Sequence, residues 1–234
     1  MINIVLAFVV SIIISYLLGS IPSAYLVGRG FKGIDIRTVG SHNMGAMNTF
    51  YTIGFWPGML VLVTDILKGM IALLLSFLVA AYLFTIPGYL VIPVEMVSGV
   101  AVIAGHAFPL FLNFRGGKGG ATAIGVLAFI VPWINWVTIG AVKIPIPAGD
   151  LMYLGSFLLL LLITRWATFA YGISFLAFPL VAWLGMHDQG LTIYSICIGL
   201  TPILMYIPRI KEILKKSDGS IKRAVFRKGL KDRM

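Results

Sequence analysis

Gly105-His106-Ala107-Phe108-Pro109-Leu110-Phe111-Leu112-Asn113-Phe114-Arg115-Gly116-Gly117-Lys118-Gly119-Gly120-Ala121-Thr122 is the stretch on which the reading of this chain turns. A long apolar run ends there, the chain turns through FRGGKGG, and a second apolar run begins at Ala121. Four glycines surround Lys118. Glycine tolerates positive φ and has no Cβ to hold a ligand off the backbone, so such a turn is able to aim several N–H groups at one anion. Two readings fit the spacing. One is a phosphate or carboxylate pocket where two membrane helices meet, at the N-terminus of the second helix. The other is a tight turn with a basic anchor at the lipid headgroups. A Walker A loop is excluded, because Leu112 stands where that motif needs its first glycine and Gly119 where it needs Ser or Thr.

Composition places the turn in a membrane protein. Of 234 residues, 59% are hydrophobic and 11% charged, and several apolar runs approach the roughly 20 residues that span hydrocarbon. The expected fold is all-α and polytopic: a single bundle over residues 1–210 followed by a basic cytoplasmic tail, 211–234. Candidate spans are 3–27, 56–84, 89–111, 121–141, 151–163, 167–185 and 190–207. The first lacks a basic leader and runs past signal-peptide length, so it reads as a retained helix.

The formal charge of +10 is distributed by topology. With seven spans, every Lys and Arg except Lys68 and Lys143 falls on one set of loops or in the tail. The positive-inside rule then puts the C-terminus in the cytoplasm and the N-terminus outside. This distribution argues for anionic lipid as the partner of the basic tail, and against nucleic acid. Trp56, Trp133, Trp136, Trp166 and Trp183 fall near span ends, as interfacial belts do. The lone Cys197 lies in an apolar run, and His42, His106 and His187 are dispersed, so no metal centre is expected.

Three polar stretches carry the candidate chemistry. Gly19-Ser20-Ile21-Pro22-Ser23 leads into Asp35-Ile36-Arg37 and Gly40-Ser41-His42-Asn43-Met44-Gly45-Ala46-Met47-Asn48, dense enough in hydroxyls and amides to predict an ordered, partly buried loop. Pro22 frees a backbone carbonyl, for which Ser20 and Ser23 are the nearby partners. The glycine–lysine turn is the second stretch, with His106 either a base or hydrogen-bonded scaffolding. Asp65 and Lys68 are the third, three apart on one helix face and therefore able to neutralise each other inside the membrane.

Taken together, GSIPSAYLVGR, DIRTVGSHNMGAMNT, DILKG, GHAFPLFLNFRGGKGGAT and TRWAT resemble, in order and over nearly the whole chain, the bacterial membrane glycerol-3-phosphate acyltransferases that use acyl phosphate, the PlsY family. The resemblance implies a seven-helix bundle in the bacterial plasma membrane with its site facing the cytoplasm. It implies acyl transfer from acyl phosphate to the 1-hydroxyl of glycerol 3-phosphate, giving 1-acylglycerol 3-phosphate and phosphate without metal or nucleotide. By position it assigns Ser41, Asn43 and Lys118 to catalysis, and Gly116, Gly117, Gly119, Asn48 and Thr168 to substrate binding, with Thr168 where the family has serine. Three positions depart from it. Tyr51 replaces a phosphate-binding arginine, and Tyr206 and Arg209 replace a histidine and an asparagine in the last motif. Tyrosine cannot reproduce a bidentate guanidinium contact. Arg209, and His42 at a usual glycine position, are the candidates to compensate. The competing reading is a catalytically inactive relative that binds acyl phosphate, anionic lipid or a partner enzyme.

Overall fold

The computed structural model describes residues 1–131, 134–139, 142–164 and 167–216, with side chains described there except at 134–149, 167, 168, 203 and 205–216. Its contacts divide the chain into two compact units, Met1–Ile130 and Val131–Met234.

The first unit begins with a broken helix. α1 (Ile2–Gly19) and α2 (Ser23–Lys32) are separated at Ser20-Ile21-Pro22, because Pro22 has no N–H for the ladder and its ring crowds the preceding turn. The Leu18 carbonyl that Pro22 abandons is taken by the Ile21 N–H at 3.2 Å. Ser20 Oγ donates instead to Tyr16 O at 2.9 Å. α2 stops at Gly33, whose φ of 67° forms a left-handed cap, with the Gly33 N–H on the Arg29 carbonyl and the Ile34 N–H on the Gly28 carbonyl. A 3₁₀ turn at Ile36–Thr38 and α3 (Ala46–Thr52) carry the first loop to α4 (Phe55–Leu78), which ends in a π turn, Val79–Leu83. α5 (Val91–Ala107) returns, and α6 (Gly120–Ile130) follows the glycine–lysine turn.

Small residues set how closely these helices pack. A Cβ on Gly19 would collide with the Val102 carbonyl, and one on Gly105 with the Tyr16 carbonyl, so α1 and α5 approach backbone to backbone. Gly69 against Thr122 O and Gly125 against Ile66 O do the same for α4 and α6. Between membrane helices, van der Waals contact of this kind replaces the hydrophobic effect as the driving force. The outward faces carry exposed Leu17, Leu67, Leu74 and Val100, an apolar coat suited to lipid. Under the first loop, Ala24, Ile36, Met44 and Val61 form a small buried core.

The second unit departs from the sequence expectation at its start. The fourth predicted span, 121–141, is helical only to Ile130; Ile134–Ile139 and Val142–Pro147 form an antiparallel hairpin, β1 and β2, registered from Ile134↔Pro147 to Ile139↔Val142. The β-branched run favours strand, and Pro145 and Pro147 exclude helix. Among the described residues the fold is thus predominantly helical with one pair of antiparallel strands. α7 (Ala148–Thr164), α8 (Ala167–Ser174), α9 (Ala177–Leu184) and α10 (Gln189–Lys216) follow, close to the predicted last three spans. Tyr153 packs edge-on to Phe175 and stacks on Phe178. Asp188 caps α10 by accepting from the Leu191 N–H at 2.9 Å.

Among the described residues, three helical segments are long and apolar enough to cross a membrane: Ile2–Lys32, Phe55–Leu83 and Gly88–Leu112. Gly120–Ile130, Asp150–Thr164 and Phe169–Leu184 are apolar but shorter.

Candidate active site

The first loop is organised by one buried side chain. Asn48, on α3, is 3% exposed. Its Oδ1 accepts from the Ser41 N–H at 2.9 Å, and its Nδ2 lies at 2.9 Å from Ile36 O and 3.0 Å from both Val39 O and Asn43 O. The amide is spent on the loop, which makes Asn48 the clamp that fixes Ser41 and Asn43. It was expected to bind substrate. Gly40, with φ 60°, is wedged against this amide and has no space for a Cβ. His42 also has positive φ, 57°, a conformation that glycine adopts most readily. Its ring Nδ1 lies 3.2 Å from Arg37 O, and the residue is exposed.

The base of the loop is tied electrostatically. Arg37 holds Asp35 through two parallel contacts, Nη2–Oδ2 at 2.8 Å and Nε–Oδ1 at 3.0 Å, and its guanidinium lies 5.3 Å from the Tyr25 ring centroid. The hydrogen bond from Arg37 holds the Asp35 carboxyl below the usual carboxylate range. Arg37 Nη1 also reaches the Leu112 carbonyl at 3.5 Å, linking this loop to the arm before the glycines.

That arm is pinned at several points. Tyr16 Oη donates to Phe108 O at 2.9 Å, and Asn113 and Phe114 turn the chain at φ 53° and 60°. The chain then folds back on the end of α5: the Gly116 N–H donates to Ala107 O and the Gly117 N–H to His106 O, each at 3.1 Å. These two N–H groups are therefore not aimed at an anion, which was one of the two readings the spacing allowed. Both glycines are instead required for packing. A Cβ on Gly116 would strike the His106 carbonyl, and one on Gly117 would strike His106 Nε2 and the Met44 carbonyl. Gly119, at φ 75°, turns the chain into α6. The first N–H groups of α6, from Gly120 onward, have no intrahelical partner by geometry, and half-buried Lys118 stands just before them. The Met44 carbonyl seated on Gly117 brings the Ser41–Asn43 loop against the glycine–lysine turn.

Beneath this junction lies a buried polar chain. Lys68 Nζ pairs with Asp65 Oδ1 at 2.9 Å and donates to Ile21 O at 3.2 Å. The Ile21 carbonyl, just before Pro22, thus accepts from the lysine as well as from the Ser23 N–H at 3.1 Å. Asp65 Oδ1 is 3.7 Å from His106 Nδ1, which is 3.3 Å from Thr122 Oγ. His106 is 3% exposed and Thr122 fully buried, which favours scaffolding for the histidine. Thr122, on the first turn of α6, was not singled out from sequence; its place one turn beyond the lysine was the available signal.

Tyr51 lies on α3 with its ring edge-on to Phe50, centroids 5.5 Å apart. Thr168 falls in α8, and Tyr206 and Arg209 in α10, with side chains outside the described residues.

Comparison with known proteins identifies the family. The family model for glycerol-3-phosphate acyltransferase matches residues 9–216. Glycerol-3-phosphate acyltransferase 2 of Dehalococcoides mccartyi is 49% identical over 233 residues, covering 99% of this chain and all of the relative. The Bacillus subtilis glycerol-3-phosphate acyltransferase is 34% identical over 211 residues, covering 90% and 96%. Among solved structures, the glycerol 3-phosphate form of PlsY, an integral membrane glycerol 3-phosphate acyltransferase, superposes with a TM-score of 0.70 at 29% identity, covering 89% of this chain and 92% of that one. This chain belongs to the glycerol-3-phosphate acyltransferase family.

Proposed function

We propose that this membrane acyltransferase moves a fatty acyl group from acyl phosphate to the 1-hydroxyl of glycerol 3-phosphate. The hydroxyl oxygen bonds to the acyl carbon, the acyl–phosphate C–O bond breaks, and the hydroxyl proton leaves with inorganic phosphate. The products are 1-acylglycerol 3-phosphate and phosphate, balanced without metal or nucleotide. Acyl phosphate is already activated, so positioning and charge stabilisation supply the catalysis.

The observation that carries this reading is the seating of the Met44 carbonyl on Gly117, which sets the clamped Ser41–Asn43 loop beside Lys118 and the start of α6. Lys118 and the first N–H groups of α6 hold a phosphate. Ser41 and Asn43 orient the reacting groups, and the exposed ring of His42 reaches substrate at the rim. The charge asymmetry supports seven spans in a bacterial plasma membrane, an outside N-terminus and a cytoplasmic site, with the tail attracted to anionic lipid.

The test is product analysis with purified protein, acyl phosphate and a panel of phosphorylated polyols. The expected result is 1-acylglycerol 3-phosphate with equimolar phosphate, fastest with glycerol 3-phosphate. Saturable binding of acyl phosphate without turnover would instead identify a non-catalytic relative, the outcome that loss of the family arginine at Tyr51 makes worth testing.

A further inference from the structure

We infer that His106 is a positioning residue that grips the glycine–lysine turn on both sides of Lys118. On the N-terminal side its carbonyl accepts the Gly117 N–H at 3.1 Å and its ring edge lies against the Gly117 Cα, where a Cβ would meet Nε2. On the C-terminal side its Nδ1 bonds Thr122 Oγ at 3.3 Å. Only Lys118, Gly119, Gly120 and Ala121 lie between the two holds. These are the lysine and the beginning of α6, the groups that face the anion.

The ring itself is held from below. Asp65 stands 3.7 Å from Nδ1 and is anchored by Lys68 at 2.9 Å, and Lys68 is anchored on the Ile21 carbonyl at 3.2 Å. His106, Asp65, Lys68 and Thr122 are each at least nine-tenths buried, so they do not reach bulk solvent. Such a network fixes geometry because a shift of one member leaves its neighbours buried and unpaired. A histidine that merely filled the core would have no reason to hold two points flanking one lysine. The placement of Lys118 over a phosphate thus depends on the imidazole, although the imidazole touches no substrate.

This inference rests on the acyltransferase reading of the site, and the experiment separates the two. Wild-type enzyme, His106→Leu, His106→Asn and Thr122→Val are purified in detergent, and KM and kcat for glycerol 3-phosphate are measured beside the thermal midpoint. Leucine keeps volume and loses every polar atom. Asparagine keeps a polar atom near the Nδ1 position. Valine removes only the Thr122 hydroxyl. Positioning predicts that KM rises about 30-fold in His106→Leu, the scale of a buried hydrogen bond lost from an ordered network. It predicts a rise of about 5-fold in Thr122→Val and recovery to within about 5-fold of wild type in His106→Asn. A purely structural role would lower the midpoint and the amount of active protein while the remaining enzyme kept the wild-type KM; that result overturns the inference. If His106→Leu does not fold, Thr122→Val decides, and an unchanged KM overturns it. Absence of turnover in the wild type itself would instead refute the acyltransferase reading, and this inference with it.

Discussion

Replacing Asn48 separates a loop clamp from a substrate ligand. In Asn48→Ala the Val39 and Asn43 carbonyls keep backbone partners, the His42 and Gly45 N–H groups, each at 3.1 Å. The Ser41 N–H and the Ile36 carbonyl lose the Asn48 amide. A buried group left unpaired costs about 1–3 kcal/mol. Ile36 is fully buried while Ser41 is half-buried and partly rehydrated, so the sum is about 2–4 kcal/mol. For a chain of this size that corresponds to a fall of roughly 5–15 °C in thermal midpoint. Turnover falls at least about 100-fold as Ser41 loses its fixed position. Asn48→Asp is more damaging still, because a carboxylate keeps the acceptor for Ser41 but faces three carbonyl oxygens with no donor. The assay pairs thermal unfolding in detergent with acyl-transfer kinetics. An Asn48→Ala enzyme with an unchanged midpoint and only a raised KM would refute the clamp and return Asn48 to the substrate.

Other expected outcomes follow from single contacts. Gly117→Ala forces a methyl into His106 Nε2 and the Met44 carbonyl and separates the two loops, so transfer rates fall about 100-fold or more. Lys68→Met leaves Asp65 as an uncompensated buried charge and destabilises by about 3–5 kcal/mol, read as a lower midpoint that Lys68→Met with Asp65→Asn largely restores. Asp35→Asn tests linkage. The folded carboxyl titrates below its unfolded value, so the unfolded state binds more protons at acid pH. The contribution is full above the unfolded value and is lost as pH falls through the depressed one. It amounts to less than about 1 kcal/mol for this partly exposed pair. The wild-type midpoint therefore exceeds that of Asp35→Asn at pH 7, and the difference closes below about pH 4.

What sequence made legible follows its periodicities. The i, i+3 spacing of Asp65 and Lys68 gave their ion pair, and the apolar runs gave most helix ends. The density of amides around Asn43 and Asn48 gave an ordered loop. The strand pair 134–139 and 142–147 was missed because the β-branched apolar run through Ile134, Val137, Thr138 and Ile139 has the hydropathy of a span, and hydropathy alone does not separate strand from helix. The partner of Lys68, a carbonyl 47 residues away, is fixed by the crossing of helices and leaves no local trace. Spacing left open whether Gly116 and Gly117 serve an anion or a tight turn, and their N–H groups go to the Ala107 and His106 carbonyls. Composition marks a place where side chains are excluded, and only the fold tells whether a ligand or another backbone occupies it.

The central claim is that Lys118, set beside the clamped Ser41 loop, holds the phosphate on which transfer depends. The most direct measurement is kcat/KM for glycerol 3-phosphate, with acyl phosphate as donor, in wild-type enzyme and in Lys118→Ala of matched thermal midpoint. Loss of a charged phosphate contact predicts a fall of at least about 100-fold. A Lys118→Ala enzyme that turned over at the wild-type rate would contradict the account.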